Sequence, residues 1–196
     1  MPTMGSVPTN VVRSIISLTK KHPEYTYAFS ENSLVYDARN GMADIAITYG
    51  FDYLMFIDSD IVFREDAVDK LIEHNADVCT GVYYSRRDDH EPLIFSEIKP
   101  RTLFHKAKLT KVKEVLPYQQ IEACGMGFCL IKTDVLKKIK KRHKTPFEPI
   151  KGMGEDYSFC YKCKKHGIKI YADGDITLFH IGKKEYGKED YDETKQ

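Results

Sequence analysis

The sequence predicts an α/β fold in which a mixed, mostly parallel central sheet is flanked by helices. Its first half alternates amphipathic helical segments with short apolar runs, a pattern typical of β-α-β units. Residues 53–57 form an apolar run without polar alternation, as expected for a central parallel strand that is covered on both faces. From residue 92 to about residue 132, short runs of Tyr, Val, Ile and Thr predict antiparallel strands added to the sheet.

Each predicted element follows from a local pattern. Apolar residues recur at helical spacing in two early segments, which His22-Pro23 and Gly50 terminate. Thr133 is expected to cap a later helix, and Gly167 is expected to end the last one. The predicted helices span residues 8–20, 34–49, 65–74, 133–140 and 155–166, and the strands outside the antiparallel region span residues 25–29, 53–57, 76–83, 168–171 and 176–179.

Composition and charge restrict the classes of partner. The 196 residues include 30 basic and 29 acidic side chains, so the net charge of +1 gives no reason to expect nucleic-acid binding. The basic run at residues 137–142 is interpreted as an exposed helix face. No apolar run reaches the roughly 18 residues of a membrane span. Five cysteines without a scaffold spacing, including Cys160 and Cys163 on one helix face, predict free core thiols and a cytoplasmic location.

Asp58 and Asp60 provide the strongest chemical signal. They directly follow the apolar strand, and the ligands of open α/β sheets gather at the carboxyl ends of the strands. Two carboxylates one residue apart repel each other unless a cation joins them, and such hard oxygen ligands suit Mg²⁺ or Mn²⁺. The sequence therefore predicts a divalent-metal site at this edge of the sheet.

Three other interpretations of this acidic motif compete with the metal site. A calcium-binding EF-hand loop starting at Asp58 is excluded, because it requires Gly and Glu where the chain has Phe63 and Asp69. A phosphatase of the haloacid dehalogenase type also places Asp-x-Asp after an apolar strand, although usually near the N-terminus. The two acids also fit a loop without a function. By itself the motif leaves the last two alternatives open.

Further motifs follow one another along nearly the whole chain: Ala38-Arg39-Asn40, Phe56-Ile57-Asp58-Ser59-Asp60, Gly125-Met126-Gly127, Gly154-Glu155-Asp156 and His180-Ile181-Gly182-Lys183. Together they resemble the metal-dependent glycosyltransferases of the GT-A fold, which is a Rossmann-like nucleotide-binding fold. The resemblance implies one catalytic domain over residues 1–182, with a nucleotide-sugar-binding half at residues 1–90 and an acceptor-binding half at residues 91–182. Residues 183–196 are then a polar tail or a linker to a further domain.

The resemblance assigns the metal and donor contacts. Asp60 is expected to ligate Mn²⁺ or Mg²⁺ directly, and Asp58 to ligate the metal or bind the ribose of the donor. His180 is expected to supply another metal ligand from near the C-terminus. Further contacts to the nucleotide sugar are assigned to the following residues: Thr3, Arg39, Ser59, Gly125, Gly182, Lys183 and Lys184.

The resemblance also assigns the proton transfer. Asp156 is expected to act as the general base on the acceptor hydroxyl, and Glu155 to orient hydroxyl groups. Helix capping is the alternative explanation for both acids, and the dipole of a helix N-terminus lowers an acid's pKa, which opposes strong basicity. Three more residues border the predicted pocket in orientations that the sequence does not fix: Tyr83, Tyr84 and Arg86.

The predicted function is that of a hexosyltransferase. It would transfer a sugar from a nucleotide-sugar donor, usually a UDP-sugar in this family, to a hydroxyl of a glycan or glycoprotein acceptor. The alternatives are the phosphatase and a non-catalytic nucleotide-sugar-binding domain. Compact domains of this layout resemble those encoded by large viruses and phages, or those that form part of multidomain transferases. A viral origin implies viral glycosylation in the host cytoplasm.

Overall fold

A computed structural model describes residues 1–3, 5–31, 33–87, 89–100, 107–150, 152–182, 185–188 and 191. The helices are α1 Thr9–Lys21, α2 Val35–Tyr49, α3 Ala67–Glu73, α4 Thr133–His143 and α5 Glu155–Lys165. The strands are β1 Pro2–Thr3, β2 Ser30–Glu31, β3 Tyr53–Ile57, β4 Ile61–Phe63, β5 Val78–Gly81, β6 Ile94–Lys99, β7 Lys108–Lys111, β8 Tyr118–Ile121, β9 Ala123–Cys124, β10 Phe128–Lys132, β11 Ile170–Asp173, β12 Leu178–Ile181 and β13 Glu185–Tyr186.

The central sheet has five strands in the order β3-β10-β5-β11-β8. Strands β3, β5 and β11 run in the same direction, because β10 is antiparallel to both β3 and β5, and β11 is parallel to β5. Strand β8 runs antiparallel to β11. Three smaller sheets have the orders β1-β2, β13-β12-β4 and β7-β6-β9. The predicted α/β fold with a mixed central sheet, most of whose strands share one direction, is confirmed.

The central sheet is buried on both faces, which explains the unbroken apolar run of β3. Phe56 packs in a cluster with apolar residues of α2, α4 and α5, whereas Ile57 packs in a second cluster with apolar residues of α1 and α3. Strand β10 alternates in the same way, with Cys129 in the first cluster and Phe128 in the second. All five cysteines are free and buried, so the prediction of core thiols is confirmed.

Three local predictions were wrong. Strand β3 lies at one end of the described strand order and pairs antiparallel with β10, so it is not the central parallel strand that its apolar run predicted. Residues 25–29 do not form a strand, because β1 pairs only with Ser30–Glu31 and no described strand pairs with the preceding segment. Thr133 is the first residue of α4 instead of its cap, which is Lys132. The backbone N–H of Thr133 donates to the Asp52 carbonyl (2.9 Å), so a tertiary contact satisfies a group at the helix start.

The pairing of β4 with β12 positions the candidate site. Ile61 lies opposite His180 in this antiparallel pair, and the N–H of Ile181 donates to the Asp60 carbonyl at 2.7 Å. Strand β13 extends the same small sheet, and Tyr191 is buried with its ring 5.6 Å from that of Tyr84. Among the described residues, no helix is long and apolar enough to cross a membrane.

Candidate active site

A tight turn between β3 and β4 presents the two predicted carboxylates at the end of a buried strand. The N–H of Asp58 donates to the Gly127 carbonyl (2.8 Å), and the N–H of Ile61 donates to the Asp58 carbonyl (3.2 Å). These bonds fix the backbone on both sides of Ser59 and Asp60. The side chains of Asp58 and Asp60 are 31% and 28% exposed, so both are accessible to a ligand from one side.

Arg39 is buried beneath the turn and holds two carboxylates. Its Nη2 lies 3.0 and 3.2 Å from the two oxygens of Asp58, and its Nε lies 3.6 Å from Oε1 of Glu155. The guanidinium also stands over the Phe56 ring, 5.1 Å from the ring centroid. Burial lowers the pKa of Arg39, but Asp58 and Glu155 outweigh it, so the pKa is raised and the charge is permanent.

Part of the Arg39 guanidinium makes no hydrogen bond with the described residues. Nη1 and Nε are both buried without one, although Nε lies within ion-pair range of Glu155 at 3.6 Å. A buried donor without a partner is costly, so these nitrogens are suited to a ligand atom or an ordered water. The helix that carries Arg39 is fixed nearby, because Oδ1 of Asn40 accepts from the N–H of Phe147 (2.9 Å) and the Phe147 ring meets Phe56 edge-on.

His180 faces Asp60 in a defined orientation. Its Nδ1 lies 2.7 Å from the Tyr84 carbonyl, which can only accept, so Nδ1 carries a hydrogen. Its Nε2 lies 3.5 Å from Oδ2 of Asp60, and Nη1 of Arg86 lies 2.9 Å from the same oxygen. Burial raises the pKa of Asp60, but His180 and Arg86 outweigh it, so the pKa lies below its usual value. Asp60 is therefore ionised, and the side chains of His180 and Arg86 both approach its carboxylate.

The predicted metal ligands are only partly brought together. No group of three His, Cys, Asp or Glu side chains in the described ranges is arranged to hold a metal ion. Asp58 is engaged by Arg39, which leaves the pair of Asp60 and His180. A carboxylate and an imidazole oriented by a carbonyl are nevertheless a donor pair that Mn²⁺ accepts, whereas Mg²⁺ would use chiefly the carboxylate, and either ion would complete its coordination with waters and substrate phosphates.

Glu155 and Asp156 begin α5 and lie close to Arg39 and Asp58. Oδ1 of Asp156 accepts from the N–H of Tyr157 (2.8 Å). Burial, reinforced by the charge of Glu155, raises the pKa of Asp156 from 3.8 to about 7. Burial thus outweighs the helix dipole, which by itself favours the ionised form. A carboxylate with this pKa is suited to accept a proton near neutral pH.

Tyr83 fills the space beside the two glycines of the predicted sugar contact. A Cβ on Gly125 would lie 2.1 Å from the Tyr83 hydroxyl, and one on Gly127 would lie 2.9 Å from it. The N–H of Gly127 donates to this hydroxyl (2.9 Å), and the ring stands edge-on to His180 at 5.3 Å. These glycines therefore accommodate Tyr83 in this structure, which the sequence pattern did not reveal.

The remaining predicted residues are not linked to the carboxylates by a described contact. The Thr3 hydroxyl donates to the Ser6 carbonyl (3.1 Å) within the β1 region. Ser59 lies half-buried in the turn, and Gly182 is exposed after β12. Lys183 and Lys184 lie outside the described residues. Sequence reasoning placed Arg86 near the pocket without finding its contact with Asp60, because nothing local specifies which carboxylate a loop arginine meets.

The fold of this chain is similar to that of several solved structures. No protein-family model and no curated protein matches the sequence. The crystal structure of A197 from STIV superposes with a TM-score of 0.66 at 25% identity, over 92% of this chain and 83% of that one. GalNAc-T7, crystallised with UDP, GalNAc and Mn²⁺, superposes with a TM-score of 0.58 at 11% identity, over 92% of this chain and 43% of that one. The chain has a GT-A-like fold.

Proposed function

We propose that this protein is a glycosyltransferase that uses a nucleotide sugar, with a UDP-sugar as donor and a hydroxyl of a glycan or glycoprotein as acceptor. One observation carries the proposal. Asp60 and His180 are far apart in the sequence, but Nε2 of His180 lies 3.5 Å from Oδ2 of Asp60, beside a second carboxylate that a buried arginine holds. This arrangement at the end of β3 offers both a cation-binding pair and a fixed positive charge, which a nucleoside diphosphate requires.

The donor half of the proposal rests on the turn after β3 and on residues that the fold brings to it. Asp60 and His180 would hold Mn²⁺ or Mg²⁺, and the bound ion would supply Lewis-acid stabilisation of the departing diphosphate. Nη1 of Arg39, which makes no hydrogen bond with the described residues, would donate a hydrogen bond to an oxygen of the nucleotide sugar. GalNAc-T7, of the same fold, binds UDP, GalNAc and Mn²⁺ in its crystal structure, and this likeness supports the same ligand class here. The predicted contacts of Thr3, Ser59, Gly125, Gly182, Lys183 and Lys184 belong to the same proposal.

The acceptor half of the proposal rests on α5. Asp156, with its pKa of about 7, would accept the proton of the acceptor hydroxyl. The hydroxyl oxygen then forms a bond to the anomeric carbon while the bond from that carbon to the phosphate oxygen breaks. The nucleoside diphosphate leaves with the electron pair of that bond. Glu155, close to Arg39, would orient the reacting hydroxyls.

Two other functions make different demands on the same residues. A phosphatase needs Asp58 as a free nucleophile, whereas both oxygens of Asp58 face Nη2 of Arg39. That phosphatase would also give His180 no role beside Asp60. A non-catalytic binding domain would retain the donor site but would not use the raised pKa of Asp156. The observed contacts therefore favour the transferase.

Donor hydrolysis and transfer test this function. The purified protein is incubated with UDP-sugars and Mn²⁺, and UDP release is measured with and without a chelator. UDP release by Asp60→Ala and by His180→Ala should each fall about 100-fold or more, because losing even a residue that only orients a metal ligand costs about 10- to 100-fold. Asp66→Ala is the matched control, since Asp66 forms an ion pair outside the site.

UDP release, UDP binding and phosphate release from small phosphoesters together separate the three candidate functions. Metal-dependent UDP release that is lost in Asp60→Ala but not in Asp66→Ala would support the transferase. Tight UDP binding without turnover of any tested sugar would favour the non-catalytic domain. Release of inorganic phosphate from small phosphoesters, abolished in Asp58→Asn, would establish the phosphatase and refute the proposal.

A further inference from the structure

The two carboxylates of the turn each meet an arginine, and the two arginines are held very differently. The side chain of Arg39 is 3% exposed, contacts both oxygens of Asp58 and packs on Phe56. The side chain of Arg86 is 48% exposed, and its Nη1 donates to Oδ2 of Asp60 (2.9 Å) and to the Ile181 carbonyl (3.1 Å). Arg39 is part of the core, whereas Arg86 reaches Asp60 from a surface loop.

Arg86 occupies the place where a cation would bind. Oδ2 of Asp60 faces both Nη1 of Arg86 and Nε2 of His180, at 2.9 and 3.5 Å. Nδ1 of His180 is bonded to the Tyr84 carbonyl, so the ring presents Nε2 to Asp60. A carboxylate in this position is stabilised by a cation beside it. The guanidinium supplies that charge in this structure.

We infer that Arg86 is an exchangeable cation of this site, which leaves Asp60 when a divalent metal binds and then contacts the donor diphosphate. This inference rests on the proposed function. An ion pair that is half exposed costs little to break, whereas separating Asp58 from Arg39 would leave the buried guanidinium without its main partner. A divalent cation therefore takes Asp60 and not Asp58. The released guanidinium, which is planar and carries five donors, suits diphosphate oxygens.

The test compares wild type, Arg86→Gln and the neighbouring exposed Arg87→Gln, which removes the same charge from the same loop. Mn²⁺ binding alone is measured by electron paramagnetic resonance, and UDP binding at saturating Mn²⁺ is measured by calorimetry. Arg86→Gln should bind Mn²⁺ about two- to five-fold more tightly, because no ion pair has to break. It should bind UDP about ten-fold more weakly, because a charged donor to the diphosphate is lost.

Opposite changes in the two affinities, absent in Arg87→Gln, would support the exchange. Unchanged Mn²⁺ affinity in Arg86→Gln, with wild type binding both ligands, would overturn the exchange and leave the proposed function intact. Weaker binding of both ligands would also overturn it, because Arg86 would then only hold the site together. If wild type binds neither Mn²⁺ nor UDP, the proposed function fails together with this inference.

Discussion

Replacing Asp156 by Asn should stabilise the protein above neutral pH while abolishing transfer. The substitution keeps the size of the side chain, and the amide oxygen can still accept from the N–H of Tyr157, as Oδ1 does at 2.8 Å. What changes is that the buried group can no longer ionise. The same burial that makes Asp156 a base near pH 7 therefore acts against the folded state.

The magnitude follows from the raised pKa. The pKa moves from 3.8 to about 7, which is about three units, and at 1.36 kcal/mol per unit this gives about 4 kcal/mol. The folded protein retains the proton between these two values while the unfolded chain releases it. The stability that protonated Asp156 provides is therefore fully present below pH 3.8, falls as pH rises, and is lost above about pH 7.

Chemical denaturation of both proteins measures this effect. The difference in the free energy of unfolding between Asp156→Asn and wild type should grow from about 1.5 kcal/mol at pH 5 to about 4 kcal/mol at pH 8. Taking the difference cancels the other titrating groups that the two proteins share. UDP-sugar turnover by wild type should rise through pH 7 and level off, and the variant should lose about 100- to 10,000-fold.

The reasoning would be refuted by a difference in stability that does not change between pH 5 and pH 8. It would also be refuted if Asp156→Asn were less stable than wild type at pH 8, because the carboxylate would then be stabilised by the fold. If Asp156→Asn had the expected stability but retained turnover, Asp156 would not be the general base, although its raised pKa would still be supported.

Two further substitutions test the packing around the site by urea denaturation. Arg39→Met should lower the free energy of unfolding by about 3–5 kcal/mol, because two carboxylates lose a buried partner. Arg64→Met, at an exposed arginine, should change it by less than about 0.5 kcal/mol. Equal effects of the two substitutions would contradict a stabilising role of Arg39 in the core. Gly127→Ala should cost about 1–3 kcal/mol, because the new Cβ would lie 2.9 Å from the Tyr83 ring and hydroxyl. Gly41 is a helical glycine with open space around it, so Gly41→Ala should instead stabilise the protein by about 0.5–1 kcal/mol. An unchanged stability in Gly127→Ala would show that Tyr83 can move away from the new Cβ.

The fold was predictable wherever a local pattern specifies it. The apolar run of β3 forms a strand covered on both faces, and the helical periodicity before Gly50 forms α2 with Gly50 in the left-handed conformation at its C-cap. The segment at residues 25–29 shows where this fails. Its apolar and aromatic residues suit a strand, but a strand needs a partner along its length, and β1 offers pairing for only two residues.

The sequence predicted which residues form the candidate site better than it predicted the contacts between them. Asp58 and Asp60 could be placed because they follow a recognisable strand. The ion pair between Arg39 and Asp58 could not be predicted, because the sequence by itself is equally consistent with a surface arginine on an amphipathic helix, and only the structure shows its burial under the turn. The basicity of Asp156 was also hidden, because the local rule for a helix N-terminus gives a lower pKa and only the surrounding packing raises it.

The sequence by itself determined the α/β class, the order of most helices and strands, and the acidic turn after β3, because these depend on periodicity and neighbours along the chain. The tertiary structure alone decided the rest. Pairing of β4 with β12 brings His180 to Asp60, and burial assigns a fixed arginine to one carboxylate and an exposed one to the other. Strand register and burial depend on residues distant in sequence, so no local pattern can specify them.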